Sequence, residues 1–391
     1  MCYSMDMIYL DHAAATPVDD RVLEAMKPYF GDLFFNPSAA YLPAKRVAAD
    51  YEVAKGVIAH AIGAKASDLV ITAGATEANN LAFSATNGHG VLFLETEHDS
   101  VRCVAEMHGG VPVKVLSNGL IDLGDLVAKI TDEVELISVA LVNNELGTIQ
   151  PLSEIAGIIR EVKLDRMRRG VKRQLLLHSD ASQALSLLDI NVARLGVDLL
   201  TLNAAKVYGP KGVGALYMGH DAKLRPLNYG GGQENGLRSG TENVPGVIGF
   251  AKAVELAKEH LNGNRKKYAA WRKVLLDELE DYELINKKHT LDNFVVISYP
   301  GIDAERLIYL LEEQEIYVAT GAACAASKGV RSRTLSAIGL SSAQIAGSLR
   351  LTLGESNDES QMHEVARVLN VTVAEERKRL EKSRTFSFPT M

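Results

Sequence analysis

The 391-residue chain is 47% hydrophobic and 23% charged, enough apolar material for one large or two modest domains with full cores. Its net charge of −7 argues against a direct nucleic-acid or anionic-membrane partner. Three widely spaced cysteines, Cys2, Cys103 and Cys324, exclude a disulfide framework and a metal-ligand cluster, so no metal is expected and the setting is read as reducing and cytoplasmic.

The opening MCYSMDMIYLD lacks a basic region followed by an apolar core, so no signal peptide is expected, and no apolar run reaches membrane-span length. Ile8–Leu10 reads as a short strand, and Thr16-Pro17 opens a helix from about Asp19. Asn36-Pro37-Ser38 is a turn, and Ala44 to about Ile62 a helix. Leu69–Thr72 is a strand followed by Ala73-Gly74-Ala75-Thr76-Glu77 and a helix to about Ala85. Small residues at a strand-to-helix turn let free N–H groups and the helix dipole face an anion, and Thr76 adds a hydroxyl. The turn is read as a phosphate cradle; the plainer reading is an ordinary helix start. Gly90–Leu94 is a strand that ends in Glu95-Thr96-Glu97-His98-Asp99-Ser100. A lone histidine there is more often structural than catalytic. Cys103, in the next helix, reads as a small buried hydrophobe. Leu136–Val142 is a strand ending in Asn143-Asn144-Glu145, and a helix follows over Leu152–Val162. The basic run KLDRMRRGVKR then reads as a solvated helix end and loop.

The chain is organised around Leu175–Tyr217. Leu175–Leu177 and Val197–Leu202 are short apolar runs that read as buried strands; the first ends in His178-Ser179-Asp180, the second in Asn203-Ala204-Ala205-Lys206. The segment between them is too long for a hairpin, and Gly196 marks a helical or looped crossover. An acid and a lysine thus leave the ends of two strands of one sheet, where open α/β sheets collect ligand groups. A lysine can form a Schiff base there and an acid can hold a protonated ring nitrogen, which together are the protein's half of pyridoxal phosphate (PLP) chemistry. On spacing alone, a surface lysine and a helix-capping Asp fit equally well.

Beyond this stretch the glycines of Tyr229–Glu234 and Arg238–Asn243 demand unusual backbone angles or close approach. Pro245 to about Leu261 is helical, charged helix continues from Asn264 to Tyr282, and a domain boundary is placed near residue 260, in HLNGNRKK. Asn293–Ser298, Ala304–Gln314 and Ile316–Ala319 alternate strand, helix, strand. Cys324 follows in the small-residue stretch TGAACAASKG, with Lys328, Arg331 and Arg333 nearby; cations favour the nucleophilic thiolate. Arg350 lies inside the apolar strand Ser348–Leu353, a costly position unless it meets an acid or grips a substrate carboxylate. A charged helix, Asp358–Lys382, comes last.

Across nearly its whole length the chain resembles the cysteine desulfurases of the class V aminotransferase group. The resemblance is carried in order by YLDHAAATPV, FFNPS, ITAGATEANNLA, TEHDSV, VNNELGTIQP, DASQA, KVYGPKGVGALY, GGGQENGLRSGTENV, GAACAAS and LRLTLGES. It implies that Lys206 is the Schiff-base lysine, that Asp180 pairs with the pyridinium nitrogen and that Gln183 bonds the ring hydroxyl. His98 would stack on the ring and move protons. Ala75, Thr76 and Asn203 would bind phosphate, and Thr241 would reach the phosphate of a neighbouring subunit in a homodimer. Asn144 and Arg350 would hold the carboxylate of L-cysteine. Cys324 would take its sulfur as a persulfide, leaving L-alanine and feeding a sulfur-acceptor protein for iron–sulfur clusters or tRNA thiolation. A selenocysteine lyase, a class V aminotransferase and a weakly catalytic scaffold subunit are the alternatives.

Three departures stand out. The family's Ser-Gly-His before the lysine is here Asn203-Ala204-Ala205, so Ala205 offers no imidazole to phosphate. Tyr41 replaces a frequent histidine, and alanines flank Cys324 where hydroxyl residues are usual. The expected fold is α/β, with a large PLP-binding domain over 16–260 whose mostly parallel sheet is flanked by helices. A smaller α/β domain combines 1–15 with 261–391.

Overall fold

A computed structural model describes residues 7–320 and 332–385. Among these residues thirteen strands form three sheets. The largest has seven: β2 (Leu69–Thr72), β3 (Val91–Leu94), β4 (Val111–Val113), β5 (Leu136–Ser138), β6 (Leu176–Asp180), β7 (Leu199–Asn203) and β8 (Gly214–Met218), in the order β2-β8-β7-β6-β5-β3-β4. Only β8 runs antiparallel to its neighbours. Runs such as VLFL and LLTL are buried along their length because helices cover both faces, the condition under which strands lose the apolar–polar alternation. Helices Ala75–Phe83, Asp99–Met107, Leu152–Arg169 and Val192–Leu195 follow β2, β3, β5 and β6. Gly196 ends the last of these in the left-handed region, at φ 71°.

The second sheet is antiparallel and four-stranded, β12 (Ala319–Thr320), β13 (Ser348–Thr352), β10 (Phe294–Ser298) and β9 (Glu283–Leu284) in that order. A third, two-stranded sheet pairs β1 (Ile8–Tyr9) with β11 (Ile316–Tyr317) in parallel, so the N-terminal arm lies with the C-terminal third. The arm then crosses back: Ala13 N–H donates to Thr352 Oγ1 at 2.9 Å. At Gly147, where φ is 69°, the chain after β5 presses on Phe294; an added Cβ would lie 2.5 Å from that ring. Only glycine fits there, and the contact brings the Asn143–Gly147 turn against the small sheet.

Three expectations are corrected. The helical stretches Pro245–Leu261 and Asn264–Tyr282 are not two elements: Val244–Glu278 is a single 35-residue helix, roughly 50 Å long at 1.5 Å per residue, which passes through HLNGNRKK. The basic run is not wholly solvated, because Arg166 is 2% exposed. Its Nη2 donates to Thr131 O at 2.5 Å and its Nη1 to Gln174 O at 3.3 Å, while its Nε is buried without a hydrogen-bond partner. Cys103 is exposed, with Arg102 Nη2 3.3 Å from its sulfur, because it falls on the outer face of Asp99–Met107 while Val101, Val104 and Ala105 take the core.

Candidate active site

Because β3, β5, β6 and β7 are parallel, their C-terminal ends share one edge of the large sheet. Asp180 is the last residue of β6, and Lys206 closes a single 3₁₀ turn directly after β7. Lys206 Nζ donates to the carbonyls of Ala13, at 2.8 Å, and Ala14. Gln183 Nε2 donates to the same Ala13 oxygen at 2.9 Å. The N-terminal arm thus reaches the lysine at the strand ends. Behind Lys206 lies a cavity of about 20 Å³, enough for one water, between His12, Gln183, Tyr208 and Tyr268.

Asp180 is 8% exposed and well provided with donors. Its Oδ1 accepts from Ser182 N–H at 2.9 Å and its Oδ2 from Asn79 Nδ2 at 2.8 Å. Asn79 Nδ2 also lies 2.9 Å from Ser100 Oγ, and Ser100 Oγ lies 2.9 Å from His98 Nδ1. His98, the residue after Glu97 at the end of the β3 segment, therefore connects to Asp180 through two intermediate side chains. Below them is a buried polar layer. Glu97 Oε1 accepts from Ala140 N–H at 2.7 Å, and burial, with Asp180's charge second, pushes its carboxyl up to about 8. His178 bridges Ser138 Oγ at 2.8 Å and Thr201 Oγ1 at 3.1 Å, and burial lowers its imidazole to about 4. At neutral pH Glu97 and His178 are therefore uncharged.

The turn read from the sequence as a phosphate cradle is built on backbone. Gly74 caps helix Ala75–Phe83 at φ 144°, with open space where a Cβ would stand, and Gly214 packs beneath it so closely that a Cβ there would lie 2.8 Å from Gly74 Cα. Ala75 and Thr76 occupy the first turn, whose N–H groups have no partner inside a helix. Asn203 Oδ1 accepts from Ala205 N–H at 3.2 Å, so its amide nitrogen is the end left to donate outward. Ala205 has no side-chain donor, and its carbonyl accepts from Thr16 Oγ1 at 3.2 Å and Thr16 N–H at 3.3 Å. Tyr41 is 54% exposed, its ring edge-on to Phe35 at 6.0 Å.

Arg350, on β13, is 4% exposed. It donates from Nη1 to Asn144 O at 2.9 Å and from Nη2 to Asp11 Oδ1 at 2.5 Å, while its Nε is buried without a partner. The acid that Arg350 needs is thus Asp11 of the N-terminal arm, and the link to Asn144 runs through its main chain. Glu145, beside Asn144, accepts from Ser332 Oγ at 2.5 Å and Thr334 Oγ1 at 2.9 Å and so ties that turn to the segment after residue 331. Cys324 lies outside the described residues. Thr241 is exposed at the end of the glycine-rich loop. That loop is anchored by Glu234, whose carboxylate takes Lys55 Nζ at 2.8 Å, Tyr51 OH at 2.5 Å and Ile71 N–H at 2.9 Å.

Sequence reasoning assigned no role to Asn79, Ser100, Glu97 or Asp11. A signal existed for Asn79, a carboxamide fully buried on a helix otherwise lined with Ala, Leu and Phe. Ser100 and Asp11 look like ordinary turn residues until their partners, 21 and 339 positions away, are known.

The profile of the family described as Aminotransferase class-V matches residues 8–365. A Bacillus subtilis protein named putative cysteine desulfurase IscS 1 is 34% identical over 380 residues, spanning 93% of this chain and 97% of its own. A Methanosarcina thermophila cysteine desulfurase IscS is 36% identical over 382 residues, spanning 93% and 90%. Among solved structures, a NifS-like protein superposes with a TM-score of 0.86 at 29% identity, over 94% of this chain and 99% of that one. SspA in complex with cysteine superposes with a TM-score of 0.76 at 32% identity, over 88% and 98%.

Proposed function

The chain belongs to the class-V aminotransferase family, and from that premise we propose that it is a PLP-dependent cysteine desulfurase, converting L-cysteine to L-alanine. The observation that carries the reading is the placement of Lys206 and Asp180 at the ends of adjacent parallel strands, with a helix N-terminus alongside. The donor set fits PLP: an amine for its aldehyde, a buried carboxylate for its ring nitrogen, and Ala75, Thr76 and Asn203 for its phosphate. PLP bound there supplies an electron sink.

The chain's own residues do the rest. Asp180 holds the ring-nitrogen proton, stabilised by donors from Asn79 and Ser182. Lys206 is the amine that carries a proton to and from the substrate, and His98 is the second proton-handling group. Arg350 and Asn144 grip the substrate carboxylate. Cys324 receives the sulfur. In balance, L-cysteine and the Cys324 thiol become L-alanine and a Cys324 persulfide. One C–S and one S–H bond are exchanged for one S–S and one C–H bond, with no outside oxidant or reductant.

The persulfide then passes to a sulfur-acceptor protein of iron–sulfur assembly or tRNA thiolation. The enzyme works as a cytoplasmic homodimer, in which the exposed Thr241 reaches the neighbour's phosphate site. The domain division at 16–260 belongs to the same reading. No helix among the described residues is long and apolar enough to cross a membrane.

The test is release of alanine from L-cysteine by the PLP-loaded protein, with matching sulfide under a reductant. The variant Cys324→Ser should still bind cysteine but release no sulfide, because a hydroxyl is a poor nucleophile at neutral pH. Undiminished sulfide from that variant refutes persulfide transfer, and absence of alanine from the wild type refutes the reading.

A further inference from the structure

His98 is the N-cap of helix Asp99–Met107, a position usually held by Ser, Thr, Asp or Asn, whose side-chain oxygen accepts a free N–H of the first turn. Here an imidazole nitrogen takes that role. Nδ1 accepts from Ser100 N–H at 3.1 Å, and Ser100 Oγ lies 2.9 Å from the same nitrogen. Ser100 Oγ is in turn 2.9 Å from Asn79 Nδ2, which is 2.8 Å from Asp180 Oδ2.

Donor and acceptor roles along this line are forced. A carboxylate only accepts, so the Asn79 amide donates to Asp180; turned over, that amide would set its oxygen against the carboxylate. An amide nitrogen only donates, so Ser100 Oγ accepts from it and passes its own hydrogen to Nδ1. Facing two donors, Nδ1 must hold a lone pair, which puts the hydrogen of the neutral ring on Nε2. A proton arriving at Nδ1 would break the cap and set positive charge at the positive end of the helix dipole.

We propose that Asn79 and Ser100 are positioning residues that hold His98 as its Nε2–H tautomer and couple it to Asp180. His98 then gives up a proton through Nε2 before it can take one there. This consequence for catalysis rests on the desulfurase reading; the tautomer does not.

The test is ¹⁵N NMR of the full-length protein with labelled histidine, before and after PLP is added. His98 should show a protonated Nε2 and a hydrogen-bonded, unprotonated Nδ1 in both. Ser100→Ala, which keeps the main-chain N–H bond and loses only the hydroxyl, should shift Nδ1 toward a more weakly bonded acceptor, and Ser100→Thr, which keeps the hydroxyl, should not. A protonated Nδ1 in the neutral ring overturns the proposal. The coupling is read from the pH midpoint of the visible absorbance of PLP-loaded protein. Ser100→Ala should shift it by about 0.3–0.5 pH unit, the scale of lost cooperative strengthening of a charged hydrogen bond. In an Asn79→Ala background Ser100→Ala should cause no shift. Additive shifts, or none, refute the coupling. The expected tautomer in a protein that makes no alanine would sink the desulfurase reading and leave the tautomer standing.

Discussion

The two ends of the site are built to different standards. At the ring end, Asp180, Asn79, Ser100 and His98 form an unbroken line of hydrogen bonds of 2.8–2.9 Å above a neutral buried layer. At the proposed phosphate end the donors are the backbone of one helix start, a threonine and an asparagine, and Ala205 brings no side-chain donor. On the proposed reading, cofactor geometry is set by the ring end, where Asp180, Asn79 and Ser100 are buried and joined to the exposed His98. On the same reading the phosphate end, where Thr76 is exposed, contributes affinity, so substitutions there should change how long PLP stays more than what it does.

The harshest way to break this contrast is to remove the amine. Lys206→Ala should abolish covalent cofactor, seen as loss of the yellow protein-bound absorbance, and cut alanine formation about 10³-fold or more. A colourless wild type that gains no visible absorbance with added PLP would defeat the premise.

Repairing the weak end comes next. A hydrogen bond to a charged group contributes about 1.5–3 kcal/mol, and about 1.4 kcal/mol is tenfold in affinity. Ala205→His should therefore slow PLP loss on dialysis by roughly ten- to a hundredfold. Tyr41, 54% exposed beside Phe35, gives no sign of filling the gap within its own chain. Equal retention by wild type and variant would mean that the phosphate end is as well made as the ring end.

The neutral layer has a pH signature. Glu97 is raised from 4.5 to about 8, chiefly by burial, so between those values the folded state binds the proton that the unfolded state releases. Stability from this group is intact below about pH 4.5 and is lost as pH rises through about 8. His178 and His12, both lowered to about 4, oppose this slope below pH 6.5 by favouring stability as pH rises. The clean window is therefore pH 6.5–8. There wild type should lose up to about 1.4 kcal/mol per pH unit relative to Glu97→Gln, measured by urea unfolding. Parallel stability curves would mean that Glu97 is ionised in the fold.

The smallest effect sharpens the contrast from outside the site. Cys103→Ala should leave sulfide release unchanged and shift stability by no more than about 0.5 kcal/mol, because the side chain is exposed. A loss of sulfide release would implicate the wrong cysteine.

Much of the site was legible in the sequence, for a local reason. Strand runs bounded by polar punctuation set β6 and β7 to within three residues, and the places of Asp180 and Lys206 follow from where those runs stop. The cradle at Gly74–Thr76 follows from its own small residues, and Arg350 announced itself as a charge in an apolar strand. What the sequence could not decide was which distant groups meet. Arg350 finds Asp11 across 339 positions because the N-terminal arm lies along the C-terminal sheets, and Asn79 reaches Asp180 across 101 because one helix packs over the strand ends. The helix through residue 260 and the burial of Arg166 were likewise settled by neighbours. Run length and periodicity act within a few residues of the chain, whereas an ion pair or a buried amide depends on which surfaces the fold brings together.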